Sequence, residues 1–271
     1  MNAMLRVACF LCLIGPGLLG AEQPKADAFV EAWKSGKPLP AFSGSLEEAY
    51  ALQRAWVPRT LDEQGVGGVK GGVVTPAGQA RFGIEEPVGA LLRASGRLQA
   101  GVKPRVSLKR FPGLKLETEI GFVLARDLEK LPENLAAFKQ QVRSVVAVVE
   151  LVAGRWETGG KLTAEQLAAV NVLAAGTIVG LEADPAAVDP GRLKLRFSKD
   201  DQPLHEAHGS DCWKGPWETA FWLAGFAHRQ GISLKAGHLI ICGALGKIHV
   251  AEPGRYRYDA GQLGLIEFEV E

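Results

Sequence analysis

The 271-residue sequence has no excess of charge of either sign. Its 31 Lys and Arg residues are balanced by 30 Asp and Glu residues, so the formal net charge is +1. Binding to nucleic acid or to an anionic membrane surface depends on concentrated positive charge, and the composition favours neither partner. Hydrophobic residues make up 47% and charged residues 23% of the chain. This composition is ordinary for a soluble globular protein.

Several nucleotide-binding and hydrolase motifs are missing. The glycine-rich stretch 65–87 contains neither the G-x-x-x-x-G-K-[ST] phosphate loop nor the G-x-G-x-x-G dinucleotide fingerprint. Gly209-Ser210 lacks the G-x-S-x-G pattern of a serine nucleophile elbow. The sequence also has no low-complexity segment or internal repeat. A tight turn or the close approach of backbone to a ligand therefore explains the glycines better than phosphate binding does.

The N-terminus has the order of a secretory signal peptide. MNAMLR carries one positive charge, VACFLCLIGPGLLG is apolar, and EQPKAD is polar. We therefore predict a signal peptide over residues 1–21, cleaved after Gly20 or Ala21. The mature protein, residues 22–271, would be periplasmic or secreted and would not associate with a membrane. An uncleaved N-terminal anchor is the alternative.

Cysteine is scarce, with four residues in the chain. Cys9 and Cys12 fall within the predicted signal peptide, which leaves Cys212 and Cys242. In an oxidising compartment these two could form a disulfide. Two buried free thiols are the equally simple alternative.

Strand patterns followed by separate helices predict an α+β fold. Ser45 and Glu48 form a capping box at the start of a helix that Pro58 kinks or ends. We read residues 22–66 as a helical N-terminal extension of a single domain. The remaining predicted elements are helices 24–36, 132–142 and 215–231 and strands 115–125, 143–153, 176–182, 192–198, 238–243 and 263–270.

Three glutamates stand out in the predicted strands. Glu117 and Glu119 are two residues apart, so they share one face of a strand. Glu150 lies in VRSVVAVVELVAG, whose near-continuous apolar run indicates a strand buried on both faces. An ionised carboxylate there is costly unless it is paired or binds a metal. Three such carboxylates suit a hard divalent cation, Mg²⁺ or Mn²⁺.

Simpler explanations exist for each of these residues. Two glutamates on one strand face are often a solvated surface, and Arg143 or Arg155 could pair with Glu150. His205, His208 and Asp211 could be read as a transition-metal cluster, but loop polarity explains them as well. Cys212 near His208 could suggest a thiol nucleophile, although nothing else in the sequence supports one.

The sequence resembles the 2-keto-4-pentenoate hydratase and 4-oxalocrotonate decarboxylase group of the fumarylacetoacetate hydrolase superfamily. The resemblance runs from SLEEAYALQRAW (45–56) to the C-terminus. The E-x-E pair followed by a distant third glutamate is its most specific part. Matching segments include GVKGGVVTPAGQARFGIEEP (68–87), LETEIGFVLARDL (116–128), VVAVVELV (145–152), PWETAFWLAGF (216–226), AGHLIICGALG (236–246) and EPGRYRYDAGQLGLIEFEV (252–270).

The resemblance implies a fold and a set of functional residues. The fold would be the superfamily's C-terminal type, a mixed β-roll or sandwich with flanking helices. Glu117, Glu119 and Glu150 would bind the divalent metal. Lys70 would be catalytic, orienting the substrate carboxylate or donating a proton, with its pKa lowered by burial if it lies close to the metal. Thr75 and Asn171 would contact the substrate, a small 2-oxo acid, and the protein would form a homo-oligomer.

The sequence also departs from the family pattern. K-x-G-L-T-S becomes KGGVVT, the Asp-Asn pair becomes Val170-Asn171, and a segment of small residues becomes AHGSDCW (207–213). Cys242 replaces a threonine. We expect a lyase, either hydratase or decarboxylase, that acts through a metal-stabilised enolate. An exported binding protein without turnover and an acylpyruvate-type hydrolase are the alternatives.

Overall fold

A computed structural model describes residues 16–157 and 162–271. Most of the predicted signal peptide, residues 1–15, lies outside the described residues, so export stays a prediction. The helices are α1 (Pro16–Ser35), α2 (Leu46–Trp56), α3 (Pro76–Phe82), α4 (Leu135–Lys139), α5 (Ala164–Ala169) and α6 (Pro216–Arg229). The strands are β1 (Val66–Gly72), β2 (Val88–Arg93), β3 (Arg97–Gln99), β4 (Arg105–Val106), β5 (Lys115–Leu124), β6 (Val142–Val152), β7 (Ala174–Val179), β8 (Lys194–Lys199), β9 (Gln202–His208), β10 (Leu239–Ile241), β11 (His249–Val250), β12 (Gly254–Asp259) and β13 (Leu265–Val270). None of the helices in the described part of the chain is long and apolar enough to span a membrane.

The strands form two mixed sheets. The larger sheet has the order β2-β1-β10-β5-β6-β7-β3, and β11 pairs with one end of β5. The smaller sheet has the order β4-β13-β12-β8-β9. Its strands β4 and β13 are parallel, while its other pairs are antiparallel. This combination of mixed sheets with separate helices is the α+β architecture that the sequence predicts.

The two sheets share one hydrophobic core. Ile120 and Val149 of the larger sheet belong to the same buried cluster as Phe197, Tyr258 and Ile266 of the smaller one. Helix α6 adds Leu223 and Phe226 to that cluster. The opposite face of β5 and β6 is buried in a separate cluster that includes Val123, Val146 and Val148. Both faces of these strands are therefore covered, which explains their near-continuous apolar sequences.

The N-terminal helices form a second cluster against the edge of the larger sheet. Phe29 of α1, Trp56 of α2 and Ala168 of α5 are buried together in it. The predicted capping box is present, because Glu48 N donates to Ser45 Oγ at 3.2 Å and Ser45 N donates to Glu48 Oε2 at 2.7 Å. Helix α2 ends before Pro58, which begins a short 3-10 turn.

Most predicted elements agree with the structure to within a few residues, but several were not predicted. Strands β2, β9 and β12 and helices α3 and α5 were not expected, because each has at most seven residues and gives a weak sequence signal. The predicted helix 132–142 is reduced to α4, which has five residues. Cys212 and Cys242 are buried free thiols, as one of the two alternatives had it.

Substitution of Gly68 can test how closely β1 approaches β10. A Cβ at Gly68 would lie 1.8 Å from the carbonyl oxygen of Leu239 on β10, and its φ is +143°. We expect Gly68→Ala to lower the free energy of unfolding by about 1–3 kcal/mol, because both backbones would have to move. Gly101→Ala is the matched control, since nothing lies within 4 Å of its added Cβ. Urea unfolding of both variants is the measurement, and equal midpoints would contradict the close approach.

Candidate metal centre and pocket

Strands β5 and β6 bring the three glutamates together. Glu117 pairs directly with Glu150, and Glu119 pairs with Val148. Directly paired residues point to the same face of an antiparallel sheet, and so do residues two apart. All three carboxylates therefore lie on one face, with one oxygen of each within 4.8 Å of the others. Glu119 and Glu150 are fully buried, and Glu117 is 7% exposed.

Lys70 of β1 supplies the counter-charge. Its side chain is fully buried, and its Nζ forms a short contact with Glu150 Oε2. The same Nζ lies 3.8 Å from Glu117 Oε2. Lys70, and not the proposed Arg143 or Arg155, therefore pairs with Glu150. Arg143 instead pairs with Glu182.

Two carboxylate oxygens at this centre have no hydrogen-bond partner among the described residues. They are Glu119 Oε1 and Glu150 Oε1, and both are buried. The other oxygen of Glu119 accepts a hydrogen bond from Gly243 N at 2.6 Å. Buried carboxylate oxygens without partners are costly, and a hard cation is the ligand that satisfies them best. The donor set therefore fits a divalent metal ion.

Burial and mutual repulsion shift the pKa values at the centre. Burial raises the pKa of Glu117 to about 7, opposed by the charge of Lys70. Burial and the charge of Glu150 raise the pKa of Glu119 well above its usual value. Burial alone would lower the pKa of Lys70, but Glu150, Glu117 and Glu119 together raise it above its ordinary value. Without a metal, the expected lowering of the Lys70 pKa is therefore reversed by its three anionic neighbours.

A pocket of about 380 Å³ opens beside this centre. Glu117 is the one member of the acidic triad that lines it, and Thr75 lies in its wall. Two cations, Arg81 and Lys115, line it as well. The remaining wall is mostly apolar and includes Val73, Val74, Phe82, Val152, Trp156, Leu162, Leu167, Val172, Leu173 and Ile248.

The wall of the pocket contains an unusual backbone. Val73, Asn171, Val172 and Leu173 all have φ between +47° and +56°. For β-branched valine this left-handed region is a true outlier, costing on the order of 1–3 kcal/mol per residue. Such strain concentrates at functional sites, so its position here agrees with a ligand-binding role for the pocket.

The two predicted substrate contacts differ in position. Thr75 lines the pocket, although its hydroxyl also caps α3 by accepting from Gly78 N at 3.1 Å. Asn171 is buried behind the wall, where its Oδ1 accepts from Leu91 N at 2.8 Å and its Nδ2 donates to Leu91 O at 3.0 Å. Asn171 therefore holds the strained turn 171–173 against β2.

The opposite face of β5 anchors the loop that follows β10. Thr118 Oγ1 donates to Leu245 O at 2.8 Å and lies 3.0 Å from His205 Nε2. Because the hydroxyl has a single proton, His205 Nε2 is the donor in the second bond. His205 Nδ1 then accepts from His249 Nε2 at 2.8 Å. This hydrogen-bonded chain supports the loop whose Gly243 contacts Glu119.

The other reactive groups considered from the sequence do not gather into sites. Within the described residues, the acidic triad is the only group of three or more His, Cys, Asp or Glu side chains close enough to share a metal. His208 and Asp211 form a local turn, in which His208 N donates to Asp211 Oδ2 at 2.8 Å. Cys212 is buried, with its Sγ 3.0 Å from Thr219 Oγ1.

Sequence reasoning missed three contributors to the site. Arg81 and Lys115 were not proposed, because isolated cations carry no motif. Trp156 was also missed; it lines the pocket, and its indole nitrogen is buried without a hydrogen-bond partner among the described residues. The sequence did contain a signal for Trp156, because this residue follows Glu150 closely and lies just beyond the end of a buried strand.

Comparisons with known proteins find relatives in sequence and in fold. No protein-family model matches the chain. The chain is 29% identical over 243 residues to the 2-keto-4-pentenoate hydratase of Paraburkholderia xenovorans (strain LB400), covering 86% of this chain and 88% of the relative. The 4-oxalocrotonate decarboxylase from Pseudomonas putida G7, complexed with magnesium and adipate, has a TM-score of 0.81 and 19% identity, covering 93% of this chain and 98% of that one. Fumarylpyruvate hydrolase from Pseudomonas aeruginosa, in complex with Mn²⁺ and pyruvate, has a TM-score of 0.58 and 12% identity, covering 77% and 92%.

These comparisons confirm two predictions. The fold is shared with the solved structures of 4-oxalocrotonate decarboxylase and fumarylpyruvate hydrolase, and it has the mixed sheets and flanking helices expected from the sequence. The resemblance to 2-keto-4-pentenoate hydratases extends over most of the chain.

Lys70 provides a stability test of the buried charge network. In the presence of EDTA, we expect Lys70→Met to lower the free energy of unfolding by about 3–5 kcal/mol, because three buried carboxylates lose their cation. Lys235→Met is the control and should change stability little, since the Lys235–Asp127 pair is exposed to solvent. Urea unfolding followed by circular dichroism gives both values. Equal effects would show that Lys70 does not compensate the acidic triad.

Proposed function

We propose that the protein is a metal-dependent lyase, a hydratase or a decarboxylase, acting on a small 2-oxo or 2-hydroxydienoic acid. The observation that carries this proposal is the buried triad of Glu117, Glu119 and Glu150, two of whose oxygens have no partner in the described structure. The adjoining pocket and the similarity to hydratases support it.

The triad would hold Mg²⁺ or Mn²⁺. Both ions prefer oxygen ligands, and the three carboxylates offer at least one oxygen each. Two structures of similar fold are complexed with magnesium and with Mn²⁺. A bound divalent cation would supply Lewis-acid stabilisation of the negative charge that develops on a 2-oxo acid.

Lys70 would balance the negative charge of the triad and could transfer a proton at this centre. Its ammonium group is held by the carboxylates in a site from which water is excluded. It can orient the substrate carboxylate or donate a proton to the substrate carbon after an enolate forms. Addition of water to the C=C bond conjugated with the 2-oxo group would place an electron pair on the enolate oxygen. Loss of CO₂ from a distal carboxylate conjugated with the 2-oxo group would do the same, so one site could serve either reaction.

The pocket matches an acid with an apolar portion. Arg81 and Lys115 provide positive charge for a carboxylate, while Val172 and Leu173 contribute apolar surface. Thr75 and the indole nitrogen of Trp156 are available for polar contacts. Together these groups favour a small amphipathic anion as the substrate.

The structure offers less support for the alternatives. The departures at Cys212 and Cys242 lie in the core, and His208 and Asp211 form a local turn away from the pocket lining. These positions therefore give little support to a binding protein without turnover. A hydrolase needs a base that activates water, and so does a hydratase. Glu117, the carboxylate in the pocket lining, could serve either reaction, so the lining does not favour a hydrolase over a lyase.

The proposal extends to the location of the protein and to its oligomeric state. We propose that the protein is exported to the periplasm or outside the cell, because its N-terminal segment is apolar and has the order of a signal peptide. We also keep assembly into a homo-oligomer, which the family resemblance implies.

Metal analysis of purified protein tests the triad. We expect about one equivalent of Mn²⁺ per chain, and at least a tenfold loss of Mn²⁺ affinity in Glu150→Gln and Glu119→Gln, since each substitution removes a charged ligand. Glu133→Gln, an exposed glutamate without a salt bridge, is the matched control. Equal metal content in all variants would remove these residues from the site.

Turnover separates the candidate reactions. With Mg²⁺, we expect 2-keto-4-pentenoate in its dienol form to lose its ultraviolet absorbance as water adds, or 4-oxalocrotonate to release CO₂. EDTA should abolish the reaction, and Lys70→Met should slow it by about 10²–10⁴-fold. Thermal stabilisation by both acids without any product would instead identify a binding protein.

A further inference from the structure

A second cavity of 360 Å³ lies on the other side of the segment that follows β6. Val152 and Trp156 line the active-site pocket, whereas Ala153, Gly154 and Arg155 line this cavity. We call it the cationic cavity, because Lys37, Arg93, Arg110 and Arg155 all line it. Its opposite wall comes from the end of α1 and the loop after the 3-10 turn at 58–60.

The four cations have little compensation. Within the described residues, none of them forms a salt bridge, whereas surface cations such as Arg143 and Lys235 do. Asp62 is the one acidic residue that lines the cavity. Its carboxylate is engaged by Ser95 and by Gln64 N at 3.0 Å.

Arg93 is fixed in place at the cavity. Its Nη1 donates to Thr60 O at 2.7 Å and its Nη2 donates to Thr60 Oγ1 at 2.8 Å. Its guanidinium group lies 4.1 Å from the centre of the Trp33 ring. Its Nε is buried and has no hydrogen-bond partner among the described residues. A buried guanidinium donor without a partner is costly unless an acceptor is provided.

From this arrangement we infer that the cationic cavity is a second ligand site, which binds a small oxyanion carried by a phosphate or a carboxylate group. Arg93 would be the fixed element of the site, because its guanidinium is already oriented by Thr60 and Trp33. Arg110, Arg155 and Lys37 are exposed and can adjust to the anion. Charge-assisted hydrogen bonds from several arginines are the usual means of holding such groups.

The site is distinct from the proposed catalytic centre. The acidic triad does not line the cationic cavity, and the four cations do not line the active-site pocket. Binding of an anion in this cavity therefore needs neither the metal nor turnover. The segment 152–156 is nevertheless a wall common to both spaces.

Calorimetric titration of protein that has been freed of metal with EDTA, and then freed of EDTA by dialysis, tests the inference. Inorganic phosphate and malonate serve as separate probes, with sodium chloride at matched ionic strength as the reference. We expect saturable binding of at least one probe, and the probe that binds identifies the ligand as phosphate-like or carboxylate-like. In the double variant Lys37→Gln/Arg155→Gln, affinity should fall at least about tenfold, because two charge-assisted contacts are lost.

Two further double variants make the result specific. Arg126→Gln/Arg192→Gln removes two exposed cations outside the cavity and should leave affinity unchanged. Arg81→Gln/Lys115→Gln removes the cations of the active-site pocket and should also leave it unchanged. Equal affinity in the Lys37→Gln/Arg155→Gln protein, loss of binding only in the Arg81→Gln/Lys115→Gln protein, or no saturable binding of either probe would overturn the inference. Unchanged melting temperatures would show that the variants are folded.

Discussion

The contact between Lys70 and the acidic triad is the constraint on which the centre of the molecule depends. Three carboxylates and one ammonium group are buried on the face of the larger sheet that is turned away from the smaller sheet, where an uncompensated charge would be very costly. The arrangement requires β1, β10, β5 and β6 to be adjacent, since Lys70 reaches Glu150 across two intervening strands. The order of the strands in the larger sheet is therefore what brings the charged groups of the site together.

The part of the fold that depends on long apolar periods was predictable from the sequence. Strands β5 and β6 were placed almost to the residue, and the shared face of Glu117 and Glu119 follows directly from the two-residue period of a strand. The burial of Glu150 follows from its apolar neighbours. The pairing partner did not follow, because Lys70 lies 80 residues away and on another strand, and local patterns cannot identify such a contact.

The rest of the site depends on backbone conformation that no local pattern specifies. The left-handed turn at 171–173 consists of Asn, Val and Leu, of which two are poor candidates for positive φ. Tertiary contacts hold it, chiefly the two hydrogen bonds between Asn171 and Leu91. The family resemblance directed attention to Asn171 as a substrate contact, while the structure gives its amide a partner in the scaffold. Arg81 lies in helix α3 and Lys115 begins strand β5, so it is the tertiary fold that brings these two cations to one pocket.

The alternation of side chains along β5 has a consequence for how this strand can evolve. Glu117 and Glu119 face the acidic centre, while Thr118 between them ties down the loop that carries Gly243. Insertion or deletion of one residue here would exchange the two faces at once, exposing hydroxyl and apolar groups to the charged centre and driving carboxylates into the core. Changes in length should therefore accumulate in the loops on either side of this strand and be excluded from its middle.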